Sequence, residues 1–205
     1  MRDHWWWRPG WRAGRRGYTW HLTFPGQDEL HELVAAYQAA LAGLTGLDLV
    51  PRQWLHLTMQ GIGFTDEVPG ADIDRMRTVA AERLRRLPPL ELHFGPATVL
   101  AEGVALAPSP PEPVRAVRSA VRAAIAAVRG DDGVPEPAEG FWPHVSIAYS
   151  NRGGDAAPVV ERLERASQAS VSITVEAASL IVIHRDQRMY QWETLASVPL
   201  GPGRR

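Results

Sequence analysis

The chain has 205 residues, a net charge of −1, 45% apolar and 22% charged residues, and no cysteine. That is an ordinary globular composition, long enough for one large domain or two closely packed lobes. Near-neutral charge excludes the global basic field of a non-specific nucleic-acid binder and leaves a small or terminal nucleic-acid substrate, while the lack of Cys excludes disulfides, zinc–thiolate sites and a thiol nucleophile.

All 22 basic residues are Arg, which removes Schiff-base lysines and a P-loop lysine from consideration. The accompanying Ala, Gly and Pro mark this as the trace of a GC-rich coding sequence. No apolar run approaches the roughly 20 residues of a membrane span. The N-terminus lacks the apolar core of a secretory signal, so the expectation is a cytoplasmic monomer with no membrane partner.

Residues 1–17 set Trp5-Trp6-Trp7 and Trp11 among five Arg, with Pro9, Gly10, Gly14 and Gly17 preventing regular structure. This predicts an irregular arm whose indoles pack on the domain, because so many Trp in water would be an aggregation liability. Its rings and guanidinium forks also suit a wall for bases and phosphates near a cleft mouth. Residues 18–24 alternate as a first strand closed by Pro25-Gly26, and a helix capped by Asp28 follows, with Leu30, Leu33, Val34, Tyr37 and Leu41 on one face. A strand over 53–60, a helix over 72–87 stopped by Pro88-Pro89, and strands over 90–107 broken at Gly95-Pro96 and Gly103 complete the first half. The prolines 108, 110, 111 and 113 mark a boundary between lobes of about 18–107 and 112–200. The second half repeats the order: a helix over 112–129, a Gly/Pro/Asp-rich loop, a strand after Trp142, a helix over 157–166 and strands across 170–198.

Two strands read alike. Trp54-Leu55-His56-Leu57-Thr58-Met59-Gln60 and Trp142-Pro143-His144-Val145-Ser146-Ile147 each carry a His followed two residues later by a hydroxyl. Strand side chains alternate, so Leu55, Leu57, Met59, Val145 and Ile147 are expected inward, and Trp54, His56, Thr58, Gln60, Trp142, His144 and Ser146 on the opposite, cleft-lining face. A lone His-x-Thr on a strand carries little weight; two at the same place in a repeated unit suggest a duplicated half-site. His21-Leu22-Thr23 is a third such triplet, but it precedes the first helix, whereas His56 and His144 each lie between the two helices of their unit. His21 is therefore a lining or packing residue. Tyr149 is odd in register with His144 and on a regular strand points to the core. No His, Asp and Glu show metal-ligand spacing, and neither metal nor cofactor is expected.

The motifs His56-Leu57-Thr58-Met59 and His144-Val145-Ser146-Ile147, in a chain of this size and order, resemble the two-histidine phosphoesterase superfamily, in particular its LigT-like 2′-5′ RNA ligase family. The resemblance implies an α+β, bilobal duplicated fold: two antiparallel sheets flanking a central cleft, helices outside, the two His strands side by side. It also implies metal-free hydrolysis of 2′,3′-cyclic phosphates, or action on 2′-5′ linkages, at RNA ends or on nucleotides, with His144 as base and His56 as acid. Two imidazoles flanking a phosphate can take a proton from the attacking water and give one to the leaving oxygen, their ordinary pKa of about 6.5 allowing one neutral and one protonated ring. Thr58 and Ser146 would donate to the non-bridging oxygens. His21, Gln60, Trp142 and Tyr149 are the candidate substrate contacts. Where the family often carries an Arg shortly after the second motif, this chain has Tyr149; the Trp/Arg arm is likewise not a general family feature. A non-catalytic module binding RNA ends or nucleotides in the same cleft is the alternative.

Overall fold

A computed structural model describes residues 1–166 and 169–202. Its elements follow the expected order: β1 (Gly17–Thr23), α1 (Asp28–Leu41), β2 (Leu47–Leu49), β3 (His56–Phe64), α2 (Gly70–Leu84), β4 (Leu90–Phe94), β5 (Thr98–Leu100), β6 (Gly103–Leu106), β7 (Pro108–Ser109), α3 (Glu112–Arg129), β8 (Val145–Ser150), α4 (Ala157–Glu164), β9 (Val171–Val175), β10 (Ala177–His184) and β11 (Gln191–Pro199). The fold is α+β with two antiparallel sheets. The larger runs β11-β10-β1-β3-β8-β6-β5, with β2 beside β8; the smaller runs β7-β4-β9.

Three local expectations change. Residues 52–54 form a 3₁₀ turn, so the first His strand starts at His56 itself. Asp28 is the first helical residue rather than the cap, and Gln27 in the cap position makes no side-chain capping bond. The three-residue β2 was absent from the pattern, and it pairs with β8 through Leu47–Ser150, Asp48–Tyr149 and Leu49–Ala148.

The expected lobe boundary at the proline cluster does not coincide with the two halves of the large sheet. The half carrying His56 takes β10 and β11 from the C-terminal end of the chain, and the half carrying His144 takes β2, β5 and β6 from the N-terminal side. Helices are exchanged as well: α1 packs on α4 and β8, while α3 packs on α2 and β3. A repeat that swaps elements in this way buries Leu57, Met59, Val145 and Ile147 beneath the two motifs, each at most 1% exposed, in one continuous core.

The halves meet at a single residue pair, Leu57–Val145. Beyond it β3 keeps only β1 as a strand partner, and its other edge is covered by side chains: Arg118 on α3 donates Nε–H to the Met59 carbonyl at 2.9 Å. The same guanidinium donates to the carbonyls of Ala138 and Pro137, both at 2.9 Å, and lies over the Phe141 ring. One buried cation thus fixes the loop that leads to the second motif. It also satisfies carbonyls that no strand reaches.

The N-terminal arm is packed as expected in part. Trp5 is buried at 8% exposure and donates Nε1–H to Asp48 at 2.8 Å, and Trp11 meets Phe64 edge-on at 5.1 Å; Trp6 and Trp7 stay about half exposed. Glu102, at the β5–β6 turn, gathers Arg2 at 3.0 Å, His4 at 3.2 Å and Arg8 at 2.9 Å. The amides of Arg2 and His4 donate to the Ala101 and Ser150 carbonyls, both at 2.8 Å. Amide exchange at His4 should therefore be protected like that of a strand residue, and Trp5→Ala should lower unfolding stability by about 3 kcal/mol in urea titration. Fast exchange at His4 with an unchanged urea midpoint would mean the arm is not docked in solution.

Candidate active site

The Leu57–Val145 pair sets the geometry of the site. Continuing that antiparallel register brings His56 beside Ser146 and Thr58 beside His144, all four on one face, with the two histidines on a diagonal of about 7–8 Å between backbone positions. All four line a cavity of about 670 Å³, within the range of small-molecule sites.

Both imidazoles are held identically. His56 donates Nδ1–H to the Trp54 carbonyl at 2.8 Å, and His144 donates Nδ1–H to the Trp142 carbonyl at 2.9 Å. Because a carbonyl only accepts, Nδ1 carries the proton in each neutral ring and Nε2 is left for the substrate. Burial drives both pKa values down: His56 to about 4, with the charge of His144 adding to the fall and the Trp54 carbonyl opposing it, and His144 downward by burial against its own carbonyl bond. Burial therefore biases both rings toward the neutral form in the free protein at neutral pH.

Each hydroxyl has a neighbour that orients it. Thr58 lies 3.4 Å from His21 Nε2. His21 is stacked on His56 at 4.4 Å, its pKa pushed well down by burial and then by His56, and its Nδ1 is buried without a partner. An orphaned acceptor is cheaper to bury than an orphaned N–H donor. His21 is accordingly the Nε2–H tautomer, donating to Thr58 and leaving the threonine proton free for the cleft. Ser146 is paired with the Tyr149 hydroxyl, whose pKa is raised by burial.

Alternation fails at the same place in both motifs, and this decides two of the candidates. A β-bulge lies between the β1–β3 pairs His21–Thr58 and Trp20–Gln60, and another between the β6–β8 pairs Ala105–Ser146 and Val104–Ala148. The extra residue is Met59 in one strand and Ile147 in the other, so each strand reverses its faces after the hydroxyl. Gln60, expected in the cleft, is turned away from it and wholly buried; its amide donates to the Pro135 carbonyl and its oxygen accepts from Arg122 at 2.6 Å. Tyr149, expected in the core, is brought to the cavity wall, where it stacks on His4 at 4.3 Å. The equivalent position in the first motif, five residues after the histidine, is Gly61. Trp142 is 42% exposed and stacks on His144 at 5.0 Å outside the cavity lining, so it shields the ring rather than the interior.

The structure adds residues that strand reasoning could not reach. His4, Arg8 and Trp11 of the arm line the cavity, as do Tyr190 and Glu136. His4 is held neutral, its pKa lowered to about 4 by burial and Arg8 against the pull of Glu102; it donates Nδ1–H to Glu102 and accepts from the Tyr190 hydroxyl at 3.2 Å. Arg8 spends one nitrogen on Glu102 and leaves Nε buried without a partner. The Trp/Arg density of residues 2–16 was the one signal that pointed here. Among the described residues no three His, Asp or Glu side chains converge as metal ligands would, and no helix is long and apolar enough to cross a membrane.

Comparison with known proteins agrees with this fold. No curated protein sequence matches. In fold the chain is similar to a crystal structure described as a phosphoesterase (TM-score 0.71, 17% identity, covering 92% of this chain and 99% of that one). It is similar to TT0787 of Thermus thermophilus (TM-score 0.69, 16% identity, 91% and 100%), and to E. coli LigT complexed with 3′-AMP (TM-score 0.65, 17% identity, 91% and 98%). Residues 26–187 match the model of the 2′-5′ RNA ligase superfamily, a span that includes both histidine motifs and most of the large sheet. The chain belongs to that superfamily, the two-histidine phosphoesterases, and its function is of the phosphoesterase or ligase type.

Proposed function

We propose that this protein hydrolyses 2′,3′-cyclic phosphates at RNA ends or on nucleotides, using His56 and His144 as an acid–base pair and no metal. The observation that carries the reading is the matched pair of imidazoles, each locked by its own Trp carbonyl with Nε2 free, on adjoining strands of one cavity. A binding module needs donors around a phosphate but has no use for two rings fixed in the same reactive tautomer. LigT, similar in fold, has been crystallised with 3′-AMP, a nucleoside monophosphate of the kind such a reaction yields, and with phosphate.

The chemistry follows from the protonation order. We assign the proton of the singly protonated pair to His144, the more exposed of the two rings, while burial takes His56 down to about 4. His56 then takes a proton from the attacking water while His144 protonates the departing ribose oxygen, which reverses the assignment that the family resemblance implies. Thr58, oriented by His21, and Ser146 donate to the non-bridging oxygens as charge builds on them. Arg8, in the cavity lining, supplies a cationic side chain where Tyr149 occupies the place of an arginine.

Assay against a nucleoside 2′,3′-cyclic phosphate tests the reading directly. His56→Ala and His144→Ala should each reduce kcat/KM by about 10²- to 10⁴-fold, and Thr58→Val or Ser146→Ala by about 10²- to 10³-fold, with chelator having no effect. A purified wild-type protein that binds such a compound without turning it over would be a binding module instead.

The pH profile has a definite sign. Activity requires one protonated and one neutral ring, a state most populated between the two macroscopic pKa values of the pair. Both histidines are shifted below the ordinary 6.5, so kcat/KM should be bell-shaped with its maximum on the acid side of 6.5. It should fall at higher pH as His144 loses its proton and at lower pH as His56 gains one. A maximum above neutrality would contradict the burial-driven shifts.

The roles separate by leaving group. An aryl phosphodiester expelling a nitrophenolate needs no proton on the departing oxygen, so His144→Ala should recover on it by about 10²-fold relative to the cyclic nucleotide, and His56→Ala should not. Recovery of the His56 variant alone would exchange the two roles.

A further inference from the structure

The two halves of the site are not equivalent, and the difference opens a second compartment. Five residues after each histidine the bulged strand faces the cavity with Tyr149 on one side and Gly61 on the other. Tyr149 closes its end with His4 and Tyr190. On the other side, Gly17 and Gly61 leave a floor of bare backbone in the cavity lining, with Trp11 against its Gly17 end: a Cβ added to Gly17 would meet the Trp11 ring at 3.5 Å.

At Gly61 the group that looks onto that floor is a carboxylate. A Cβ added to Gly61 would have Glu136 Oε1 at 3.5 Å and, chain neighbours aside, nothing else within 4 Å. Glu136 has φ +64, a left-handed backbone that costs a non-glycine residue about 1 kcal/mol or more and persists only where the surroundings over-determine it. They do so here. The Pro135 carbonyl accepts from Gln60, the Glu136 carbonyl from Arg122 at 2.7 Å, and the Pro137 and Ala138 carbonyls from Arg118. Among the described residues the Glu136 carboxylate itself has no hydrogen-bond or ion-pair partner, although Arg118, Arg122 and Arg8 are near enough to oppose the upward shift that burial imposes on it. A carboxylate held in a cleft meant for an anionic phosphate repels that phosphate. Its position is useful only if another part of the ligand brings N–H donors to it.

We propose that the Gly17/Gly61 floor, the Trp11 ring beside it and Glu136 form a nucleobase subsite that selects guanine. Guanine alone among the four bases presents two adjacent, coplanar N–H donors on its pairing edge, N1–H and the N2 amine, which match the two oxygens of one carboxylate. Adenine and cytosine offer one amine beside an acceptor, and uracil one N–H between two carbonyls. The placement rests on the cyclic-phosphate reading for where phosphorus sits. From Thr58 to Gly61 is three strand residues, about 10 Å less the shortening at the bulge, comparable to the reach from phosphorus to the pairing edge within one nucleotide. The bare backbone at Gly61 takes a flat ring on its face, with the indole bordering it at Gly17.

Two measurements test this independently of turnover and with it. Calorimetric binding of the four nucleoside 3′-monophosphates, which undergo no reaction, should favour guanosine over uridine by roughly 10- to 100-fold, the worth of a charge-assisted hydrogen-bond pair. Glu136→Gln, which keeps the shape but replaces one acceptor by a donor, should collapse that ratio toward one. The same ratio should appear in kcat/KM for the four 2′,3′-cyclic phosphates. Equal affinity for the four bases, no binding of guanosine 3′-monophosphate, or a Glu136→Gln loss that is the same for every base, as a contact to the sugar would give, overturns the subsite. Guanosine preference in binding without any hydrolysis would keep the subsite and remove the proposed reaction, whereas hydrolysis without base preference would do the reverse.

Discussion

One backbone pair, Leu57 with Val145, joins the two halves of the large sheet, and the reactive geometry hangs on its register. A slip of one residue would turn every side chain of one strand to the other face, placing an apolar residue where a histidine now stands. The register is protected by what lies beneath it. Leu57, Met59, Val145 and Ile147 are fully buried, so a slip of either strand would expose its two large apolar side chains and bury its histidine and hydroxyl in their place. The packing that stabilises the sheet is therefore the same packing that aims the imidazoles.

Around that junction, polarity is managed by a few charged groups. Arg118 satisfies three carbonyls with its three nitrogens and so substitutes for the strand that β3 lacks on one edge. Glu102 does the complementary work for the arm, collecting Arg2, His4 and Arg8. Because His4 is neutral, the cluster carries two cations on one carboxylate, and the surplus of positive charge lies on the cavity side through Arg8. The arm is thereby both a packed segment, through Trp5, and a wall of the site.

Much of the site could be read from the sequence because it depends on local periodicity. His56, Thr58, His144 and Ser146 are i and i+2 on strands, and alternation alone puts them on one face; His21 joined them as a lining residue through its pairing with Thr58. Gln60 and Tyr149 were misplaced for one shared reason: a bulge inserts a residue without any local marker, since Met59 and Ile147 are ordinary strand residues. That the error is the same in both motifs shows the bulge to be part of the duplicated unit. The exchange of strands between halves was equally hidden, because sequence order gives no sign that β10 joins β1 or that β6 joins β8. Glu136 sits in a Pro-, Gly- and Asp-rich loop that reads only as irregular, and its role appears once the Gln60, Arg122 and Arg118 side chains are seen to grip the carbonyls around it.

A cleft built from two copies of one motif has an inherent ambiguity. A phosphodiester placed on an exact two-fold could enter either way round, and only one orientation would put its departing oxygen next to the proton-bearing ring. Half of all encounters would then be unproductive, each reversed complex inhibiting the enzyme with its own substrate. The Gly61–Tyr149 difference breaks that symmetry: the closed, tyrosine end cannot receive the bulky group that the glycine end admits. Tolerance to change at these two positions should accordingly be unequal to their distance from the chemistry, since neither touches the transferred proton, yet together they set the direction in which the substrate is read.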